Sequence, residues 1–210
     1  MIKIAVVASG DISGVSPGYD LFVGVDKGSL YLLEHGFPLD LAVGDFDSVT
    51  AEERKRIRRE AGVFVQAPAE KDDTDLELTL KEIFGRCPRA KVTIFGAFGG
   101  RLDHMMSNLF LASEPDLMPY MRQIELVDDL NIIRFYPAGQ HRISPIEGMS
   151  YVSFMPADES RLSISHAKYL LNESNYFLKK CYSSNEFIGK EIEFTIDKGY
   201  VVLIYSRDRR

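Results

Sequence analysis

Leu39-Asp40-Leu41-Ala42-Val43-Gly44-Asp45-Phe46-Asp47-Ser48 decides the fold. A short apolar run stops at a glycine, and two acidic side chains follow at once. That is the pattern of a buried parallel strand whose carboxyl end carries polar chemistry. The same grammar recurs on either side. Residues 2–8 are apolar except for Lys3, and residues 20–25 run into Asp26-Lys27-Gly28-Ser29. Residues 63–65 make a short strand, and residues 90–95 run into Gly96, Gly99 and Gly100. Helical stretches lie between the strands. Residues 29–35 are stopped by Gly36, with Pro38 just beyond. Thr50 with Glu53 opens a charged helix over 51–61, and Thr74 with Glu77 opens one over 75–84, each pair a capping box. A last helix is expected over 101–111. Strands alternating with helices predict an α/β N-terminal domain with a mostly parallel sheet.

The pattern changes near Pro137-Ala138-Gly139. From residue 124 onward, runs rich in β-branched and aromatic residues take over, at 124–127, 132–136, 151–154, 192–196 and 200–205. Pro156, Asn172, Asn175 and an Asp197-Lys198-Gly199 turn separate them. This predicts a C-terminal all-β, sandwich-like domain. The expected division is residues 1–137 and residues 138–210.

The 210 residues carry 25 Lys plus Arg against 31 Asp plus Glu, a formal charge of −6, and the pI is near 5.3. Hydrophobic residues are 45% and charged residues 27% of the chain, which excludes whole-chain disorder. A pI this low argues against the broad basic face that nucleic-acid binding needs. The longest apolar runs are strand-length, so no membrane span is expected. The first residues lack the features of a secretory signal, and a cytoplasmic protein is expected. Cys87 and Cys181 are far apart and in no ligand spacing, which predicts two free thiols.

The aspartates fall where chemistry would need them. Asp26 ends the second strand, Asp45 and Asp47 end the third, and Asp103 follows the strand that enters the glycine turn. Asp72, Asp73 and Asp75 precede or open a helix. Ligands of open α/β sheets bind at the carboxyl ends of strands, so these side chains are candidates for one crevice. Each aspartate alone is as well explained as a turn, cap or helix-dipole residue. Converging carboxylates repel unless a hard cation joins them, and oxygen-only ligation suits Mg²⁺ together with substrate phosphates. Gly96-Ala97-Phe98-Gly99-Gly100-Arg101 supplies close backbone N–H groups, a helix start and a guanidinium suited to phosphate oxygens. His104 lies in the first turn of the following helix. Asn108, one turn further, is placed to orient it or a metal-bound water.

Asp26-x-Gly28-Ser29, Gly44-Asp45-Phe46-Asp47-Ser48, Lys71-Asp72-x-Thr74-Asp75 and Gly99-Gly100-Arg101-x-Asp103-His104-x-x-x-Asn108 resemble, in order and spacing, the motifs of the thiamine pyrophosphokinase family. Ser184-Asn185-Glu186 is similar to a segment in that family's β domain. The resemblance implies a homodimer with active sites between subunits. It also implies transfer of the terminal pyrophosphoryl group of ATP to the hydroxyethyl arm of thiamine, giving thiamine pyrophosphate and AMP. By that likeness Asp45, Asp47 and Asp75 carry Mg²⁺ and, with Asp103, the catalytic work. Asp26, Lys27, Gly28, Thr74, Gly99, Gly100, Arg101 and His104 belong to the ATP site. Lys71, Ser184, Asn185 and Tyr182 belong to the thiamine site. Asp75 or Asp103 accepts the alcohol's proton as it attacks the β-phosphorus in line.

The chain departs from the family at three points. Asp26-Lys27-Gly28-Ser29 stands for Asp-Gly-Gly-Ala, and Lys168-Tyr169-Leu170-Leu171 for Lys-Tyr-Pro-Leu. With no Trp in the chain, the ring of thiamine is left to Tyr182, Phe187 or another aromatic. Two alternatives remain open at this level. Asp45-x-Asp47 also fits the divalent-ion motif of nucleotide-sugar transferases, and the fold also suits a non-catalytic thiamine or nucleotide sensor.

Overall fold

The computed structural model describes residues 1–68, 70, 72–157 and 159–209. The chain divides into two compact units, Met1–Asp129 and Leu130–Arg210.

The first unit is α/β. Its strands are β1 (Lys3–Val7), β2 (Leu21–Val25), β3 (Leu41–Gly44), β4 (Val63–Gln66), β5 (Lys91–Phe95) and β6 (Ile124–Val127). They lie in the order β6-β5-β1-β2-β3-β4, and each paired neighbour is parallel. The chain steps outward from β1 to β4, then returns across the sheet to place β5 on the other side of β1. A crevice therefore opens at the carboxyl ends of β1 and β5, where the winding reverses.

Among the described residues four α-helices lie between the strands: α1 (Lys27–Glu34), α2 (Ala51–Glu60), α3 (Asp75–Arg86) and α4 (Leu102–Phe110). Both expected capping boxes form, Thr50 with Glu53 and Thr74 with Glu77. They satisfy backbone N–H groups that the first helical turn leaves open. Of the ten residues of α2 only Ile57 is buried. No helix joins β1 to β2. Residues 8–20 cross instead as a loop, and its Ile12, Val15 and Tyr19 pack on the core of Phe22, Leu30, Leu32 and Phe95.

The second unit is antiparallel: β7 (Asn131–Ile143), β8 (Tyr151–Pro156), β9 (Leu162–Ser165), β10 (Tyr182–Asn185) and β11 (Ile192–Ser206). Its order is β10-β8-β11-β7, with β9 on β11. Residues 192–196 and 200–205 are one strand, which corrects the expected Asp197-Lys198-Gly199 turn. The pairing passes from Ile196 opposite Gly139 to Tyr200 opposite Pro137, so three residues face the single Ala138 in a bulge. Pro137 cannot donate to a ladder, and a bulge is where a strand tolerates that loss. The bulge separates the part of β11 paired with β9 from the part paired with β8. Phe194 from one half meets Phe154 edge-on at 5.3 Å within one core. Cys87 and Cys181 are both free. Among the described residues no helix is long and apolar enough to cross a membrane.

Candidate active site

At the end of β2 the main chain turns sharply. Asp26 adopts φ 46°, a conformation that few non-glycine residues accept. Its N–H donates to the Val43 carbonyl at 3.0 Å, and its Oδ1 accepts from the Phe46 N–H at 3.0 Å. These two bonds tie the end of β2 to the end of β3. Gly44 makes the approach possible, because a Cβ there would lie 1.9 Å from Asp26 Oδ1. Phe46, itself at φ 59°, is 2% exposed and stacks on Phe64 at 4.7 Å. With Phe46 pulled into the core, its neighbours Asp45 and Asp47 are left at the surface side of the turn.

Asp75 arrives from elsewhere, as the first residue of α3 behind the Thr74 cap. One carboxylate oxygen each from Asp26, Asp45 and Asp75 lies within 4.8 Å of the others. Burial pushes the Asp26 carboxyl up to about 7 despite the Phe46 N–H, and the charges of Asp75, Asp45 and Asp47 add to the rise. Three carboxylates held this close in a half-buried place have the donor set of a hard divalent cation. Asp47 is not in this group. It is exposed, and its N–H donates to Asp45 Oδ1 at 3.0 Å. The trio therefore exchanges Asp47 for Asp26 relative to the sequence expectation.

Beside the trio lies a cavity of about 410 Å³, lined by Ala8, Ser9 and Gly10 after β1, Val25 and Asp26 at the end of β2, Thr74 to Leu76, and the glycine turn with Arg101, His104 and Asn108. The turn takes left-handed backbone at Gly96, Gly99 and Gly100. Asn108 fastens it, donating from Nδ2 to the Ala97 carbonyl at 2.7 Å. That bond corrects the sequence reading, in which Asn108 orients His104 or a water. Arg101 and Asp103 are exposed and paired with each other, Nε to Oδ1 at 3.1 Å and Nη2 to Oδ2 at 2.5 Å. Arg101 holds the Asp103 carboxyl down at about 2.

Lys27 and Gly28 do not line this cavity. Gly28 serves packing, since a Cβ there would sit 1.9 Å from the Val7 carbonyl oxygen. Gly28→Ala is expected to cost about 3 kcal/mol, read as a lowered urea midpoint, because backbone must move on both sides. Ser9 and Gly10 were missed by the sequence reading. The signal was present, for Ala8-Ser9-Gly10 follows β1 as Asp26 follows β2, but no charged side chain marked it.

The second unit has a cavity of about 530 Å³, lined by Tyr182, Ser183 and Asn185 with Lys168 to Leu171, Asn175, Phe177 and Lys179. Tyr182 and Asn185 are therefore together, while Ser184 is not among the lining residues. Both polar groups are already engaged. Tyr182 OH donates to the Phe177 carbonyl at 2.6 Å. Asn185, 3% exposed, clasps the Tyr169 backbone, Nδ2 to the carbonyl at 2.8 Å and Oδ1 from the N–H at 2.9 Å. Phe187 stacks on Tyr205 and does not line the cavity. Tyr169 and Phe177 do line it and are 57% and 55% exposed. Lys71 lies outside the described residues.

Comparison with known proteins covers both units. The model of the thiamin pyrophosphokinase catalytic domain matches residues 16–125. That of the thiamin pyrophosphokinase vitamin B1 binding domain matches residues 140–201. A thiamine pyrophosphokinase of Bacillus subtilis (strain 168) is 36% identical over 217 residues, covering 99% of this chain and 100% of that protein. The crystal structure of a thiamin pyrophosphokinase family protein from Enterococcus faecalis superposes with a TM-score of 0.92 at 40% identity, covering 99% of this chain and 100% of that one. The crystal structure of thiamine pyrophosphokinase from Bacillus subtilis gives a TM-score of 0.81 at 34% identity, with 99% and 100% covered.

Proposed function

Because the chain belongs to the thiamin pyrophosphokinase family and pyrophosphorylates thiamine, we propose that its donor is ATP and its second product AMP, formed as the thiamine hydroxyl attacks the β-phosphorus in line. The observation that carries this reading is the convergence of Asp26, Asp45 and Asp75 within 4.8 Å, beside a glycine turn at the carboxyl ends of the strands. The nucleotide-sugar transferase and sensor readings are not favoured. The family match runs through both units, and the carboxylates that a sensor would have lost are present.

Asp26, Asp45 and Asp75 fit Mg²⁺ and would hold it. Bound there, it would supply positive charge to offset that of the phosphates. The protein's own share is positioning. The glycine turn offers backbone N–H groups, and the start of α3 adds a favourable dipole. Arg101 exchanges Asp103 for phosphate oxygens, a small cost between two exposed groups. Asp47 steadies Asp45 through its N–H and adds negative charge at the solvent edge. Of the two carboxylates considered for the hydroxyl proton, Asp75 keeps that role because it lines the cavity and Asp103 does not.

In the β unit the thiamine ring is assigned to Tyr169 and Phe177, the exposed aromatics of the cavity, because Tyr182 and Phe187 are spent on packing. An aromatic face attracts the cationic thiazolium. Tyr169→Ala is expected to raise the KM for thiamine about tenfold while leaving that for ATP unchanged. Phe187→Ala should lower the melting temperature and leave both KM values alone. The reverse pattern would move the ring site to Phe187.

A homodimer working in the cytoplasm completes the proposal. Tyr169, Leu170, Phe177 and Leu178 are all more than half exposed, which suits a face covered by a second copy. The test of the whole reading is AMP release that requires thiamine, stops with EDTA and returns with Mg²⁺. AMP formed equally without thiamine would contradict it.

A further inference from the structure

Residues 8–20 connect β1 to β2 without a helix, yet their first part is held rigidly. Ala8 N–H donates to the Phe95 carbonyl at 2.8 Å, Gly10 N–H to Gly96 at 2.9 Å, and Asp11 N–H to Phe98 at 2.7 Å. The segment is thereby laced onto the glycine turn of the nucleotide cavity. The Asp11 side chain uses a space that only glycine leaves. A Cβ on Gly99, whose φ is 87°, would lie 2.5 Å from both Cγ and Oδ2 of Asp11. Gly10, which precedes Asp11, and Gly99, against which its carboxylate lies, both line the cavity, and Asp11 itself stands just outside that lining. Asp11 is exposed and, among the described residues, its carboxylate has no hydrogen-bond or ion-pair partner.

A carboxylate fixed in this way accepts hydrogen bonds and donates none, and it repels phosphate. The cation-holding trio already draws the polyphosphate towards Asp26, Asp45 and Asp75. What remains for Asp11 is an uncharged, hydroxyl-bearing part of the donor. An acidic side chain on a ribose hydroxyl beside a glycine-rich turn is a recurring solution in open α/β sheets. Resting on the reading of this cavity as the ATP site, we propose that Asp11 reads the ribose, its carboxylate accepting a hydrogen bond from a ribose hydroxyl. Asp11 is then a specificity-determining residue, and Gly99 is required at its position partly to admit it.

The test compares ATP with 2′-deoxy-ATP and 3′-deoxy-ATP on the full chain and on Asp11→Ala, with thermal melts to confirm folding. In the wild type, kcat/KM for one deoxy analogue should fall about tenfold below that for ATP, the worth of one hydrogen bond to a charged group. Asp11→Ala should lose about tenfold on ATP through KM, keep kcat, and show no loss on that analogue. An equal loss on all three nucleotides, or no loss on any, overturns the proposal. Should the wild type fail to use ATP at all, the reading of the cavity falls first, and that control shows it before any variant is made. Asp11→Asn distinguishes charge from shape, since it keeps an acceptor and should recover part of the preference for ATP.

Discussion

Asp75→Asn is expected to lower turnover about a thousandfold and to leave the melting temperature within a few degrees of the wild type. Asp75 combines two positions that rarely coincide. It opens α3 behind a complete Thr74–Glu77 capping box, so its backbone is fixed whatever its side chain. Its carboxylate also stands with Asp26 and Asp45 within 4.8 Å. Asparagine keeps the shape and the helix start but removes one of three charges at the point where phosphate charge must be offset. Losing one such preorganised interaction typically costs about 10²–10³ in rate. The expected signature is a collapsed kcat with a rise in the Mg²⁺ concentration needed for half activity. Asp45→Asn should behave alike. Asp47→Asn should cost less than either, because Asp47 stands outside the trio. A near-normal kcat in Asp75→Asn would remove the trio from catalysis.

The second large effect is on stability, at Asp26. Burial raises its carboxyl in the folded protein from an ordinary 3.8 to about 7. Between those values the folded chain keeps a proton that the unfolded chain releases. The stabilising contribution is therefore full below about pH 4 and is lost as pH rises to about 7. Freed of divalent cations, the protein should melt lower at pH 8 than at pH 5 on account of this group. Asp26→Asn retains an oxygen to accept the Phe46 N–H while carrying no charge. It should melt a few degrees higher than the wild type at pH 8 and show no gain at pH 5, where Asp26 already holds its proton. The same variant should lose turnover and its stabilisation by Mg²⁺. A lower melting temperature at pH 8 would mean that the Asp26 charge supports the fold rather than straining it.

Local chemistry carried much of this into the sequence. Both capping boxes form with the predicted residues, because Thr and Glu three apart satisfy each other's backbone within one turn. Short apolar runs ending in aspartate or glycine became parallel strands, because nothing but a doubly covered sheet buries them. What escaped depended on partners distant in the chain. Asp197-Lys198-Gly199 has the composition of a turn, and only pairing with Pro137 and Gly139 makes it a bulge. Asp26 joins Asp45 because β2 and β3 are neighbours and Gly44 lacks a side chain, neither of which spacing reveals. Tyr182 and Phe187 look like ring shelves in sequence, yet tertiary packing consumes them and leaves Tyr169 and Phe177 exposed. Residues 8–20 carried no periodicity at all, so the loop that laces β1 to the glycine turn was invisible.

The most direct measurement follows label from ATP carrying ³²P at the β-phosphorus, incubated with the protein, Mg²⁺ and thiamine. The account predicts that the label leaves the nucleotide entirely, appearing in thiamine pyrophosphate beside unlabelled AMP. Label retained in ADP, with thiamine monophosphate as the other product, would contradict it, since the bond broken would then be the one to the γ-phosphorus.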